Sequence, residues 1–345
     1  MRTYKIAVID YLTETSLEQK VIGENATLQC LHCKTEKEIP DSISEADAVL
    51  LYHHVTLTSL SLKKMKNVKL IVRVGVGFDN VDLETAGKLG ITVVNVPDYG
   101  TNDVADHALG LLLGLARKIN VFNEALEKDT VNNWKPEIAG EIHRLTNAKL
   151  GIVGLGRIGT AFALRAKALG LQLSFYDPYL ASGWDKVLNI TRKYDLKEML
   201  GECDYVSIHT PLTTETRGMF NSEIISACKT GATIINVSRG EIISIDAMYE
   251  SLLSNKIKAY GVDVLEQEPP SPDHPLIKAF MSKADFLKGR LIITPHMAFY
   301  AKESREELRV KSAQLIRAMI DGKPLWNCVN QKYLVNPPIK VLNAC

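Results

Sequence analysis

The stretch from Lys149 to Asp177 restricts the fold more than any other part of the chain. An apolar run, Leu150–Val153, leads directly into Gly154-Leu155-Gly156-Arg157-Ile158-Gly159. A helix-like Ala161–Leu169 follows, and then a second apolar run that ends at Asp177. A strand, a G-x-G-x-x-G turn and a helix in that order form the first βαβ unit of a doubly wound parallel sheet. The first glycine allows the tight turn, the second lets a pyrophosphate approach the backbone, and the third lets helix and strand pack closely. Unpaired N–H groups at the helix start meet the phosphate charge. An acidic residue roughly 20 positions after the loop accepts hydrogen bonds from adenosine ribose hydroxyls. Asp177 holds that place. Its charge would repel a 2′-phosphate, so NAD is expected rather than NADP.

The same alternation of short β-branched runs with helical stretches fills the rest of the chain. Strands are expected at Lys5–Ile9, Thr27–Cys30, Ala48–Leu51, Lys69–Val72 and Thr92–Asn95, and again at Lys149–Val153, Gln172–Tyr176, Tyr205–Ile208, Thr233–Val237, Ala259–Val262 and Leu291–Thr294. At 345 residues, two domains of roughly 150 residues are expected rather than one core. Asn102 to Ile119 reads as a long buried helix joining them, and Lys302 to Ile320 as a second long helix. The remaining residues are too few for another domain. They are expected to pack back on the first half or to stay loose near Pro337 and Pro338.

With 41 basic against 40 acidic residues the net charge is +1, which gives no field to gather polyanions, so neither nucleic acid nor a membrane is expected as a partner. The chain is expected to open on a strand rather than a leader, and its densest apolar stretch is too short to span a bilayer. A soluble, cytoplasmic protein is expected. Six scattered cysteines, Cys30, Cys33, Cys203, Cys228, Cys328 and Cys345, then read as reduced thiols, and the single Cys30–Cys33 pair lacks the further ligands a zinc site needs, so no metal is expected.

Three polar residues stand at the ends of later strands: Arg239 after Asn236-Val237-Ser238, Glu268 in Asp263–Pro269, and His296 after Thr294-Pro295. Ligands of doubly wound sheets bind outside the carboxyl ends of strands. A histidine beside a carboxylate exchanges a proton with a substrate hydroxyl near neutral pH. An arginine offers a planar fork to a substrate carboxylate and polarises the adjacent carbonyl. Together they suit reversible hydride transfer between nicotinamide and a small 2-oxo acid. Tyr52 and His53 end another expected strand and are weighed as substrate contacts. His32, His107, His143 and His274 have no evident partners and read as structural or surface residues.

Gly154–Gly159, Tyr176-Asp177-Pro178-Tyr179, Asn236–Gly240, the Asp-Val segment ending Glu268-Pro269, and Thr294-Pro295-His296 resemble the D-isomer-specific 2-hydroxyacid dehydrogenase family over nearly the whole chain. The resemblance is closest to the C-terminal-binding-protein-like branch, through Ile71–Asn80, Ala163–Ala168 and Asn327–Asn330. It implies two Rossmann-like α/β domains: a discontinuous, flavodoxin-like substrate domain, 1–101 and 300–345, and an inserted NAD-binding domain, 102–299. It further implies that Arg239 binds the carboxylate, Glu268 partners the histidine and His296 is the acid/base. Arg73 and the amides of Val76 and Gly77 would help hold the substrate. Thr210, Thr216, Val237, Ser238 and Asp263 would join Gly154, Gly156, Arg157, Ile158, Gly159 and Asp177 around the cofactor. A homodimer through the NAD domain is implied as well.

Two departures stand out. Phe299 occupies the place of that branch's tryptophan, and Pro270–Arg290 is expected to form an enlarged surface loop. Two other functions fit the same residues: an NAD(H)-responsive interaction platform, and phosphite-type oxidation on the same fold.

Overall fold

The computed structural model describes residues 2–335 and 338–342. Pro337 and Cys345 lie outside them. The chain divides into two compact units, Met1–Gly100 with Tyr300–Cys345, and Thr101–Phe299.

The first unit is built on five strands, β1 (Tyr4–Val8), β2 (Ala26–Cys30), β3 (Ala48–Leu51), β4 (Leu70–Arg73) and β5 (Thr92–Asn95), all parallel in the order β2-β1-β3-β4-β5. Successive side chains point to opposite faces. Ile6, Val8, Leu50 and Val72 therefore pack under the Lys302–Ile320 helix with Leu308, Leu315 and Ile316, while Ala7, Val49, Leu51 and Ile71 meet Ile39, Ile43 and Leu62 on the other side. Burial on both faces explains why these strands read as continuous apolar runs. The segment after that helix does pack back on its own unit. Asn327 accepts from Asn95 N–H, Val329 donates to Val93, and Cys328 bridges Val94 in antiparallel sense along the β5 edge.

The second unit carries seven parallel strands: β6 (Lys149–Val153), β7 (Gln172–Tyr176), β8 (Thr191–Arg192), β9 (Tyr205–Ile208), β10 (Ala232–Asn236), β11 (Ile257–Val262) and β12 (Leu291–Ile293), in the order β12-β11-β10-β9-β6-β7-β8. One face packs on the Thr101–Arg117 and Arg157–Ala168 helices through Leu111, Leu112 and Phe162; the other covers Met199, Ile225, Met248 and Leu276. The order reverses between β6 and β9, which is where such sheets bind ligands.

Three expectations need correction. The stretch Asn102–Ile119 is not one helix joining two domains: Thr101–Arg117 lies wholly in the second unit, Lys118 turns left-handed at φ 53°, and a second helix, Ile119–Lys128, begins. Edge strand β8 was not foreseen, since two residues carry no readable periodicity. Pro270–Arg290 is not an enlarged loop. It folds into the Pro275–Met281 helix and a single turn at Asp285–Leu287, buries Leu276, Ile277 and Leu287, and is stapled by Arg290, whose guanidinium donates to the carbonyls of Leu252, Ile257, Lys258 and Phe286.

Candidate active site

In the second unit β6 ends at Val153 and is followed by Gly154, whose φ of 88° only glycine adopts comfortably. A Cβ there would lie 2.9 Å from His209 O, and one at Gly159 would lie 2.2 Å from Gly154 O, so both glycines serve close packing. Gly156 differs: nothing lies within 4 Å of where its Cβ would be. It opens the Arg157–Ala168 helix without a side-chain cap, so no capping side chain occupies the first-turn N–H groups of Arg157, Ile158 and Gly159. Asp177, at the end of β7, accepts from Leu155 N–H (3.0 Å) with Oδ2 and from the Tyr179 and Leu180 amides with Oδ1. These bonds orient its carboxylate beside the glycine turn.

At the end of β9, Thr210 Oγ1 and His209 Nδ1 are buried with no partner among the described residues. Burial also pushes the His209 imidazole down to about 3, so it is neutral near pH 7. Thr216 shapes the next turn, donating to Pro211 O and accepting from Thr213 N–H. An electropositive helix start, a carboxylate at the tip of β7 and an orphaned hydroxyl at one switch point fit a dinucleotide.

The chemistry-bearing residues stand at the ends of β10, β11 and β12. His296 Nδ1 lies 2.6 Å from Glu268 Oε2, and Glu268 Oε1 accepts from Leu265 N–H at 3.0 Å. A carboxylate only accepts, so Nδ1 carries the proton. His296 itself has φ 52°, an uncommon conformation for a side-chain-bearing residue and one found at functional turns. Asp263, 2% exposed, pins this turn by accepting from the Met297 and Ala298 amides at 2.9 Å. Phe299 meets the His296 ring edge-on at 6.5 Å. Arg239 follows β10 in a turn framed by Asn236, which donates to Arg239 O and accepts from Ser238 N–H; Ser238 donates to Ile208 O, and Val237 is buried. A Cβ at Gly240 would sit 1.9 Å from the Leu265 carbonyl carbon. That missing methyl lets the Arg239 turn rest directly on the loop that carries Glu268.

The first unit gathers a second group. Arg73, 7% exposed, donates from Nη1 to Val74 O and from Nε to Asn80 Oδ1. Asn80 in turn donates to Tyr52 O and Val55 O. Gly75, at φ 147°, leaves room for the guanidinium, which a Cβ would meet at 2.0 Å. Asn95 donates to Val76 O at 2.6 Å, fixing the loop that presents the Val76 and Gly77 amides. Tyr52 points into the core, 3% exposed, and contributes to this turn through its backbone. Buried Asp10 accepts from the amides of Tyr52, His54 and Val55, and desolvation raises its carboxyl above the ordinary value.

Sequence reasoning passed over Asn80, Asn95, Asn236 and Asp10. Three of them end or follow an apolar strand run, the signal that singled out Arg239. His107 was also set aside, yet its ring contacts Thr294 at 2.9 Å. His274 is structural, capping the Pro275–Met281 helix. Among the described residues no group of His, Cys, Asp or Glu is arranged to hold a metal ion, no helix is long and apolar enough to cross a membrane, and Cys30, Cys33, Cys203, Cys228 and Cys328 are thiols.

Comparison with known proteins accords with this geometry. The chain is 32% identical over 329 residues to C-terminal-binding protein 1 of Caenorhabditis elegans, covering 92% of this chain and 44% of that protein. It is 33% identical over 326 residues to D-3-phosphoglycerate dehydrogenase of Methanocaldococcus jannaschii, covering 94% and 59%. The chain thus spans about half the length of these curated relatives. Among solved structures, D-lactate dehydrogenase from Aquifex aeolicus, complexed with NAD and lactic acid, superposes with a TM-score of 0.81 at 28% identity, over 92% of this chain and 96% of that one. The family model for the NAD binding domain of D-isomer specific 2-hydroxyacid dehydrogenases matches residues 109–298, more than half of the chain. With that match, two doubly wound parallel sheets and a glycine turn at the switch point of the second, the chain belongs to the D-isomer-specific 2-hydroxyacid dehydrogenase family, and its second unit contains the family's NAD-binding domain.

Proposed function

We propose that this protein interconverts a small 2-oxo acid and the D-2-hydroxy acid. The Gly154–Gly159 turn and Asp177 would hold NAD, which when bound would supply or accept the hydride. His296 gives its Nε2 proton to the substrate oxygen in reduction and takes it back in oxidation. Glu268, 2.6 Å from Nδ1, fixes the ring's tautomer and orientation. Arg239 grips the carboxylate and polarises the neighbouring carbonyl. In the first unit, Arg73 and the Val76 and Gly77 amides are assigned to substrate binding. Phe299, edge-on to the imidazole, is assigned to the substrate's side chain. The observation that carries the reading is the His296–Glu268 pair on adjacent strand ends, with Arg239 seated on the Glu268 loop through Gly240.

We further infer that NAD is preferred over NADP because of Asp177, that the protein works in the cytoplasm, where its thiols stay reduced, and that it dimerises through the second unit, whose Val131 and Trp134 are 83% and 77% exposed. Sedimentation of a Trp134→Glu variant as a monomer is the expected check on the dimer.

The deciding assay is NADH absorbance against a panel of 2-oxo acids. Turnover with at least one, reduced at least ~100-fold in His296→Asn with NADH binding retained, supports the dehydrogenase. Tight NADH binding without turnover on any panel member favours an NAD(H)-responsive platform, a reading suggested by the likeness to C-terminal-binding protein 1. Signal only from NAD with phosphite points to the third function.

A further inference from the structure

His107, on the Thr101–Arg117 helix, places Nε2 2.9 Å from Thr294 Oγ1, and that hydroxyl lies 2.6 Å from Asp263 Oδ1. Proton counting gives both bonds a direction. A hydroxyl has one hydrogen and a carboxylate accepts, so Thr294 donates to Asp263 and accepts from His107, whose Nε2 carries the proton. Asp263 is nearly inaccessible, and it receives three successive amides: His296 N–H on its carbonyl at 2.7 Å, Met297 on Oδ1 and Ala298 on Oδ2 at 2.9 Å. The left-handed turn at His296 is therefore held by a carboxylate that is itself held by the His107–Thr294 pair.

We propose that His107 is a positioning residue for His296. By donating to Thr294 it commits the hydroxyl proton to Asp263, and Asp263 so fixed keeps the His296 turn in the conformation that sets Nδ1 on Glu268. All four residues belong to one unit, and the requirement is for a donor at Nε2, not for an imidazole. Glutamine, whose amide also donates, therefore substitutes; leucine, of similar bulk but without a donor, does not.

The test uses the full chain. Hydrogen exchange by mass spectrometry reads the amides of 294–299, and steady-state kinetics reads kcat and KM separately. In His107→Leu the expected result is faster exchange confined to that peptide, an about tenfold lower kcat and KM within about twofold. His107→Gln restores both readouts. Thr294→Val gives the same exchange pattern, and the His107→Leu/Thr294→Val double variant is no worse than Thr294→Val alone, because the two residues act as one unit. Thr294→Val also stands in should the leucine variant fail to fold.

The proposal is overturned if His107→Leu leaves exchange at 294–299 unchanged, if glutamine is as damaging as leucine, or if the two substitutions add. The kinetic arm rests on the dehydrogenase reading, but the exchange arm does not. Absence of turnover in the wild-type protein would remove that reading while the exchange data still decide the role of His107.

Discussion

Gly240 shows how one missing methyl sets the chemistry. Gly240→Ala would drive a Cβ into the Leu265 backbone, and main chain yields less readily than a side chain. The expected outcome is a loss of about 1–3 kcal/mol in urea unfolding with a lower kcat, since both the Arg239 turn and the Glu268 loop must shift. His209 supplies a pH dependence. Its pKa falls from 6.5 to about 3 on folding because burial disfavours the cation, so the unfolded chain binds more protons between those values. Its contribution to stability is complete above pH 6.5 and is lost as pH falls toward 3, at up to about 1.4 kcal/mol per pH unit. His209→Gln, which keeps a polar group near Ser207 Oγ, should flatten the acid limb of a stability-against-pH curve; an unchanged slope would mean that His209 is not the titrating group. At this scale the sequence was readable where backbone packing dictates residue type, as at Gly154 and Gly159, where a Cβ would meet backbone. It was unreadable where a polar side chain works only on folded neighbours. Nothing in the order of residues puts His107 beside Thr294, 187 positions away, or Asn80 between Arg73 and Tyr52.

Among the elements, the strands other than β8 were legible because they carry apolar runs into the buried cores and most run out into polar residues or glycine; observed ends differ from expectation by a residue or two, as at Ile257–Val262. The segment 270–290 misled because Pro270, Pro272 and Pro275 suggest a loop, whereas Pro275 occupies the start of a helix, where its missing N–H does no harm. The β5 edge depends on chain from the far end. Asn330, fully buried, accepts from Val93 N–H with Oδ1 and donates to Ile91 O with Nδ2, each at 2.9 Å. Asn330→Ala would leave a buried amide and a buried carbonyl unpaired, and should cost about 2 kcal/mol or more in urea unfolding. Asn330→Asp, which can replace only the acceptor, should fall between the two.

For the molecule as a whole, each unit has its own sheet and its own cores, so each is expected to respond separately to what it binds. NADH at about 100 times its dissociation constant should stabilise the Thr101–Phe299 unit by about 2.7 kcal/mol. Calorimetry should show that transition rising with NADH, with hydrogen-exchange protection gained in residues 101–299 first. Uniform protection of both units would show that they unfold as one. The continuous second unit has a further consequence for biosynthesis. All of its strands are synthesised before the Lys302–Ile320 helix and the Asn327–Asn330 edge segment, so its sheet is complete in sequence while the first unit still lacks those parts. The earlier-translated β1–β5 sheet must meanwhile wait, one apolar face bare and its β5 margin unpaired, until translation of residues 302–330 delivers its cover.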